Sequence, residues 1–302
     1  MGKLRNALLG AACIPMIATA AHADGTISSA SGNFTVGIGN NGELFDYNSY
    51  TGFRRNADGA DPLSPGTPRD SWGVTTDLGS AFADQSYYGS GNLTGTTFTW
   101  GANSATASTT TSVGVKLDQS YSFVADNILR ITETLTNVSD LSLSIMFARE
   151  WDTDPQPTFN NVSYGPIGAN PMVLDASWYG FDDPRPFGSY GGTSCLPNCS
   201  VDGDNGGGIQ IGLGTLAAGA SRTFTYYYGI AQTGQDPNGL VAQAQGVGVN
   251  YLMMSASDDG GTNSQFIGLG SVPEPATWGM MLMGFGLAGM ALRRQRTSVA
   301  FG

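Results

Sequence analysis

The sequence predicts an all-β protein, a β-sandwich of antiparallel strands with long loops, followed by a single C-terminal transmembrane helix. Short segments rich in Thr, Val, Ile and aromatic residues alternate between apolar and polar positions, as strands with one buried face do. Gly, Asn, Asp and Pro separate these segments, and residues 276–292 form an uncharged run near the end. Many short strands with dense turns favour a sandwich.

Predicted strands and one predicted helix follow from the spacing of apolar residues. The clearest strand segments are 33–38, 93–100, 109–117, 128–135, 141–148, 209–213 and 223–230. Residues 130–136 and 141–147 both alternate and are separated by turn residues, so we interpret them as one antiparallel hairpin. Asp236 and Pro237 can cap and begin a short helix over residues 236–247.

Residues 1–23 have the pattern of a secretory signal peptide. Lys3 and Arg5 precede an apolar stretch, and residues 21–23 (Ala-His-Ala) form a small-x-small cleavage site. Lipoprotein processing at Cys13 is the alternative, but the large aliphatic residue expected three positions earlier is absent. The mature protein is therefore expected to begin after residue 23.

The body, residues 24–271, is expected to form one acidic β-sandwich domain. It has eight basic residues against 23 acidic ones, a balance that repels nucleic acid and argues against such a partner. The only histidine, His22, lies in the predicted signal peptide. The mature body therefore lacks the imidazole that a Ser-His-Asp triad, a Cys-His pair, a histidine-ligated metal site or mutarotase-like sugar chemistry would need.

Cys195 and Cys199 are predicted to form a disulfide, because the signal peptide places them in an oxidising compartment. A metal site is disfavoured, since the body has no other cysteine and no histidine. We expect the bond to lie at the tip of a hairpin. Residues 202–208 are interpreted as a hairpin turn, because an EF-hand ligand is missing where Gly206 falls.

An acidic segment follows the predicted strand 141–148. If the strand continues, Glu150, Asp152 and Asp154 share one face, where carboxylates could bind calcium or a sugar or hydrolyse a glycosidic bond. The alternative is an acidic strand end that Arg149 or Arg185 partly neutralises. Trp151 could contribute to sugar binding. No cofactor is predicted, with calcium as the alternative.

Aromatic residues could form a platform on which a sugar stacks, although aromatic residues on strands more often belong to the core. The candidates are Trp151, Trp178, Tyr179, Phe181, Tyr226, Tyr227 and Tyr228. An ice-adsorbing protein is disfavoured, because residues 109–111 are too brief to form a regular Thr-x-Thr array.

The final segment, residues 272–302, has three parts in a fixed order. Val272-Pro273-Glu274-Pro275 is short and rigid, residues 276–292 are uncharged, and Arg293-Arg294-Gln295-Arg296 is basic. As a helix rising ~1.5 Å per residue, the uncharged run would span about 25 Å, near the lower limit for crossing a bilayer. The arginines are expected to stop transfer and remain in the cytoplasm.

In order, spacing and position this segment resembles the PEP-CTERM sorting signal of Gram-negative bacteria. The resemblance implies that the chain is exported, held transiently in the inner membrane by its tail, and processed by an exosortase, a membrane cysteine transpeptidase. A plain C-terminal membrane anchor is the alternative. The residues matching the recognition element are Pro273, Glu274 and Pro275, and those expected to stop transfer are Arg293, Arg294 and Arg296.

Two functional hypotheses follow. The first is a non-enzymatic exported protein of the cell surface or extracellular matrix that associates with exopolysaccharide. The second is a polysaccharide hydrolase that uses Glu150 with Asp152 or Asp154. The first is favoured, because the mature body has no histidine and only three glutamates.

Overall fold

The computed structural model describes residues 24–66, 68–86, 88–155, 161–178, 183, 185, 194–258 and 263–270. Over these ranges the chain consists of antiparallel strands and one helix. In chain order the elements are β1 (Gly25–Ser28), β2 (Phe34–Ile38), β3 (Phe53–Arg55), β4 (Asp70–Thr76), β5 (Gly79–Asp84), β6 (Gly89–Gly91), β7 (Leu93–Trp100), β8 (Ser104–Thr111), β9 (Val115–Ala125), β10 (Ile128–Asn137), β11 (Leu143–Trp151), β12 (Asn161–Gly168), β13 (Val173–Ser177), β14 (Cys199–Gly203), β15 (Gly207–Leu216), β16 (Ser221–Ile230), α1 (Pro237–Gly246), β17 (Val249–Ser257) and β18 (Ser264–Gly270).

The described strands assemble into two large sheets and one small sheet. The larger has nine strands in the order β14-β12-β17-β18-β16-β10-β9-β8-β7, and the second has six in the order β13-β15-β11-β4-β5-β6. Strands β1, β2 and β3 form the small sheet. Phe147 of β11 contacts Phe224 and Tyr226 of β16 at ring-centroid distances of 5.2 and 5.9 Å. The two large sheets therefore pack face to face around an aromatic core, and the predicted β-sandwich is confirmed.

The predicted hairpin between residues 130–136 and 141–147 is wrong. Strand β10 pairs with β9 and β16 in the nine-stranded sheet, whereas β11 pairs with β4 and β15 in the six-stranded sheet. The side chain of Asn137 donates to the carbonyls of Leu141 and Leu216, at 2.7 and 2.9 Å. These bonds hold the short connection where the chain crosses from one sheet to the other.

The predicted short helix is present as α1. Asp236 caps it, and its carboxylate accepts a hydrogen bond from the amide of Gly239 at 2.9 Å. Pro237 occupies the first turn, where a missing N–H costs nothing. Leu240 and Ala244 are the buried residues of this helix, so it packs against the sandwich through one narrow side.

The predicted disulfide between Cys195 and Cys199 is present, but it does not lie at a hairpin tip. Cys199 begins the edge strand β14 of the nine-stranded sheet, and the amide of Cys195 donates to the carbonyl of Ala176 in β13 of the six-stranded sheet at 2.7 Å. Strand β15 follows β14 in the chain but belongs to the six-stranded sheet, as β13 does. The interpretation of residues 202–208 as a hairpin turn is therefore wrong, because the chain changes sheets there.

Substituting Cys195 by serine should lower the free energy of unfolding by only ~1–3 kcal/mol, because the closed loop is short and its closure restricts the unfolded chain little. Urea unfolding measures the loss, and the dithiothreitol-reduced parent is the matched control. Thiol labelling of the oxidised protein should find no free cysteine. Labelling of both Cys195 and Cys199 without reductant would contradict the disulfide.

The two predicted terminal signals, residues 1–23 and 272–302 with the predicted helix 276–292, lie outside the described residues. Among the residues that are described, no helix has the length and apolar character needed to cross a membrane.

Candidate functional site

The acidic segment after β11 leaves the sheet at Trp151 and is held by backbone hydrogen bonds. The amide of Asp152 donates to the carbonyl of Arg69 at 2.9 Å, and the amide of Asp154 donates to the carbonyl of Pro62 at 2.8 Å. Because the strand ends at Trp151, the alternation that would place Glu150, Asp152 and Asp154 on one face does not continue through the segment.

Three aspartates form a carboxylate cluster at this point. Asp152, Asp154 and Asp204 each place one oxygen within 4.8 Å of the other two. The sequence predicted the first two members together with Glu150. The structure adds Asp204 from the connection between β14 and β15, and Glu150 is not part of this group. Glu150 is fully buried, so it has no open access to a polysaccharide in this structure.

The side chain of Asn161 sets the distance between the two segments of the cluster. This buried amide donates to the carbonyl of Thr153 at 2.8 Å and to the carbonyl of Asn205 at 3.5 Å. It therefore ties the segment that carries Asp152 and Asp154 to the connection that carries Asp204. No local pattern in the sequence indicates this link, because Asn205 lies 44 residues after Asn161 in the chain.

The cluster is electrostatically unfavourable as it stands. Burial raises the pKa of Asp154 to about 8, and the charges of Asp152 and Asp204 add to the effect. Burial followed by repulsion from Asp204 raises the pKa of Asp152 to about 6, against a smaller opposing effect of the amide of Thr153 and of Arg69. Within the described part of the chain, none of the three carboxylates forms an ion pair.

The predicted aromatic platform is largely part of the core. Trp151 and Trp178 are 2% and 1% exposed and meet edge to face with ring centroids 6.0 Å apart. A Cβ atom added to Gly207 would lie 2.7 Å from the Trp151 ring, so the indole fits against bare backbone. Trp151 therefore presents no free face to a sugar. Tyr226, Tyr227 and Tyr228 are buried as well, while Tyr179 and Phe181 lie outside the described residues.

A buried charge network lies between the two large sheets. The Arg149 guanidinium donates to the Asp70 carboxylate, with Nη2 2.6 Å from Oδ1, and to Glu133, with Nη1 3.0 Å from Oε1. Its Nε donates to the Tyr228 hydroxyl at 2.9 Å, and that hydroxyl donates in turn to Asp70. All four side chains are buried. Arg149 therefore pairs with carboxylates inside the core. It does not neutralise the acidic strand end, which was one of its expected roles.

One signal in the sequence could have revealed this network. Glu133 occupies the same alternation phase as Ile131 and Leu135, so its carboxylate had to face the core. Burial raises the pKa of Glu133 to about 7, while Arg149 opposes that rise. The network is enclosed and has no open path to a ligand, so we assign it a structural role.

The outer face of the nine-stranded sheet carries a regular array of hydroxyl groups, which we call the hydroxyl face. It occupies five neighbouring strands, β7, β8, β9, β10 and β16. Its outward side chains alternate with buried ones along each strand. Its members are Thr97, Thr99, Ser104, Thr106, Ser108, Thr110, Ser120, Ser122, Thr132, Thr134, Thr136, Ser221, Thr223 and Thr225.

The strand register aligns these hydroxyls into rows across the sheet. The row that crosses all five strands consists of Thr99, Thr106, Ser120, Thr132 and Thr225. Strands lie ~4.8 Å apart, so this row is about 19 Å long. A local pattern such as residues 109–111 does not reveal the array, because its rows join strands that are distant in sequence.

Direct hydrogen bonds join several of the hydroxyls. Thr134 bonds to Thr223 at 2.9 Å, and Thr136 bonds to Ser221 at 2.8 Å. Such cross-strand pairs stabilise the sheet. They also limit the rotation of these four hydroxyl groups.

Comparisons with known proteins identify the tail. Residues 271–296 match the model of the PEP-CTERM protein-sorting motif, which confirms the resemblance found in the sequence. The motif is that of exported proteins sorted by an exosortase, which is the implied processing enzyme. No curated protein matches the chain.

Solved structures that share a distant likeness with this chain include two proteins of bacterial origin. A galactose mutarotase-like protein from Lactobacillus casei is 11% identical with a TM-score of 0.35, and the match covers 82% of this chain and 87% of that chain. A candidate aldose 1-epimerase from Escherichia coli K12 is 9% identical with a TM-score of 0.31, and the match covers 83% of this chain and 89% of that chain. Likeness at this level carries no argument about this chain.

Proposed function

We propose that this exported protein with a PEP-CTERM sorting motif is a non-enzymatic component of the cell surface or extracellular matrix. Its domains are the signal peptide over residues 1–23, the sandwich over residues 24–271 and the sorting tail over residues 272–302. The tail holds the protein in the inner membrane until an exosortase processes it. The sandwich then associates with an uncharged exopolysaccharide through the hydroxyl face.

The row of five aligned hydroxyl side chains is the observation that carries this proposal. Each Ser or Thr hydroxyl offers one donor and two acceptor lone pairs, and a sugar hydroxyl offers the same set. A single exchange of water for a sugar hydroxyl is worth little, because the hydrogen bonds lost and gained are similar. A polysaccharide that contacts many hydroxyls at once gains affinity from their number.

The charge of the body favours an uncharged polysaccharide over an acidic one. The body has eight basic residues against 23 acidic ones, so it repels polyanions at long range. On the hydroxyl face the charged side chains are few and of both signs. They include Lys116 and Asp118, which pair with each other at 2.8 Å.

Co-sedimentation of the full exported chain with insoluble polysaccharides tests the proposal. The probes are microcrystalline cellulose and the β-1,3-glucan curdlan, with alginate gel as the anionic comparison. We expect binding to an uncharged polymer, little dependence on salt, and no release of reducing ends. Release of reducing ends that is lost in a Glu150→Gln variant would support the hydrolase hypothesis instead.

Matched double substitutions connect binding to the hydroxyl face. Thr132 and Thr225 lie directly opposite each other in the row, and replacing both by valine removes two hydroxyls while keeping β-branched shape. We expect the bound fraction to fall several-fold. Thr26→Val with Thr215→Val, two exposed positions on other strands, is the control and should bind like the parent. Unchanged binding by the Thr132/Thr225 variant would overturn the assignment of this face.

A further inference from the structure

The aspartate cluster contains a buried carboxylate that lacks the partners such a group normally has. Asp154 is 4% exposed, and its Oδ1 accepts no hydrogen bond from any described residue. The adjoining Thr153 hydroxyl is fully buried and also has no partner in the described part of the chain. Buried polar atoms in folded proteins are nearly always paired, so each exception suggests an ion or water that completes the site.

The Asp154 carboxylate, whose Oδ1 has no partner among the described residues, lies beside two other carboxylates. Oxygens of Asp152, Asp154 and Asp204 lie within 4.8 Å of one another, and like charges at this separation repel. Asp152 already accepts the amide of Thr153 through Oδ1, at 2.8 Å, which leaves its other oxygen available. A cation between the three groups would remove the repulsion and give the Asp154 carboxylate a partner of opposite charge.

We propose that Asp152, Asp154 and Asp204 bind a calcium ion. All donors of the cluster are carboxylate oxygens, which calcium prefers, whereas zinc and copper prefer nitrogen or sulfur. Asp204 is exposed, so water can supply the remaining ligands of a six- to eight-coordinate ion. Magnesium is disfavoured, because it requires near-ideal octahedral geometry and holds its water more firmly.

The ion would connect two separate parts of the sandwich. Asp152 and Asp154 follow β11 of the six-stranded sheet, and Asp204 follows β14 of the nine-stranded sheet. Calcium would therefore fasten the connection between β14 and β15 to the end of β11, beside the bond that Asn161 already makes there. This role is independent of polysaccharide binding.

Calcium titration of the full exported chain, purified in detergent and freed of metal with EDTA, tests the site. Isothermal titration calorimetry should show one site with Kd of about 10⁻⁴–10⁻³ M, the range of extracellular calcium modules. Calcium at tenfold above Kd should raise Tm by about 3–6 °C. Magnesium at the same concentration should raise it less. No change in Tm at 10 mM calcium, or an equal change with magnesium, would overturn the proposal.

Two variants separate metal binding from simple charge repulsion. Asp204→Asn should weaken calcium binding at least tenfold, while its Tm without calcium should equal or exceed that of the parent because repulsion is relieved. Asp202→Asn is the matched control, since Asp202 is also exposed and belongs to the same strand end but lies outside the cluster. It should bind calcium like the parent. Equal weakening by both variants would show that calcium responds only to the general negative charge.

Discussion

Replacing Arg149 by methionine should lower the free energy of unfolding by about 3–5 kcal/mol, the cost of breaking a buried ion pair by removing one partner. The substitution leaves the Asp70 carboxylate in the core without its guanidinium, whose Nη2 and Nε lie 2.6 and 3.2 Å from the two carboxylate oxygens. It also removes the partner of Glu133. Total stability is ordinarily 5–15 kcal/mol, so this single change is expected to remove a large share of it.

Urea unfolding of the full exported chain measures the effect, and Arg130→Met is the matched control. Arg130 is exposed and donates to the hydroxyl of Ser122 at 3.2 Å, so its replacement should change stability by less than about 0.5 kcal/mol. If Arg149→Met does not fold, combining it with Asp70→Asn and Glu133→Gln should recover folding, because the network then contains no uncompensated carboxylate. Equal stability of Arg149→Met and the parent would contradict the role of the network.

The pH dependence of the free energy of unfolding is expected to report on Glu133. The folded pKa of Glu133, about 7, is above its ordinary value of 4.5, so the folded state holds this proton more tightly than the unfolded state. The resulting stabilisation is full below pH 4.5 and is lost as pH rises through 7. Glu133→Gln should match the parent near pH 5 and exceed it at pH 8, with each pKa unit worth about 1.4 kcal/mol. A parent whose stability rises between pH 5 and 8 relative to this variant would contradict the assignment.

Replacing Glu274 by alanine should block processing of the tail while export and membrane insertion continue. Pro273 and Pro275 restrict the backbone on both sides of this residue and remove two donors, so the segment is expected to be extended and accessible to a membrane transpeptidase. Neither translocation nor insertion depends on the carboxylate of Glu274. The measurement is the mass and membrane retention of the mature chain, and Ser271→Ala is the neighbouring control.

Replacing the basic block should give a different defect, which distinguishes recognition from anchoring. When Arg293, Arg294 and Arg296 are all changed to alanine, the span should slip through the membrane or take the wrong orientation, because positive charge sets the stop. Protease added to spheroplasts reports the orientation. Processing of the Glu274→Ala protein at the parental rate would contradict recognition by an exosortase and leave the plain-anchor interpretation.

Local sequence patterns predicted a structural feature correctly where one side chain or one short segment determines that feature. Asp236 and Pro237 predicted the cap and start of α1, because the capping atom and the capped amide lie three residues apart. Cys195 and Cys199 predicted their own disulfide, since the body has no other cysteine. The alternation of β10 predicted which side chains face inward, and Glu133 occupies one of these inward positions.

The aspartate cluster shows a feature that local patterns did not predict. The sequence predicted that Asp152 and Asp154 lie together, but it placed Glu150 beside them and Asp204 in a hairpin turn. In the structure Asp204 joins the pair and Glu150 does not. Alternation applies only while a strand continues, and β11 ends at Trp151. The partner of the pair comes from a connection about fifty residues later. Its position depends on the buried amide of Asn161, which no local pattern indicates.

The sequence by itself determined the sorting motif of the tail, the antiparallel β-class of the body and the inward or outward direction of side chains along its strands. Each of these properties is carried by one contiguous segment of the chain. Only the tertiary structure decided which strands pair, and with them the hydroxyl face, the Arg149 network and the aspartate cluster. The physical reason is that alternation specifies a face and not a partner. A short connection such as residues 138–142 can close a hairpin or cross to the other sheet, and the packing of the whole core selects between them.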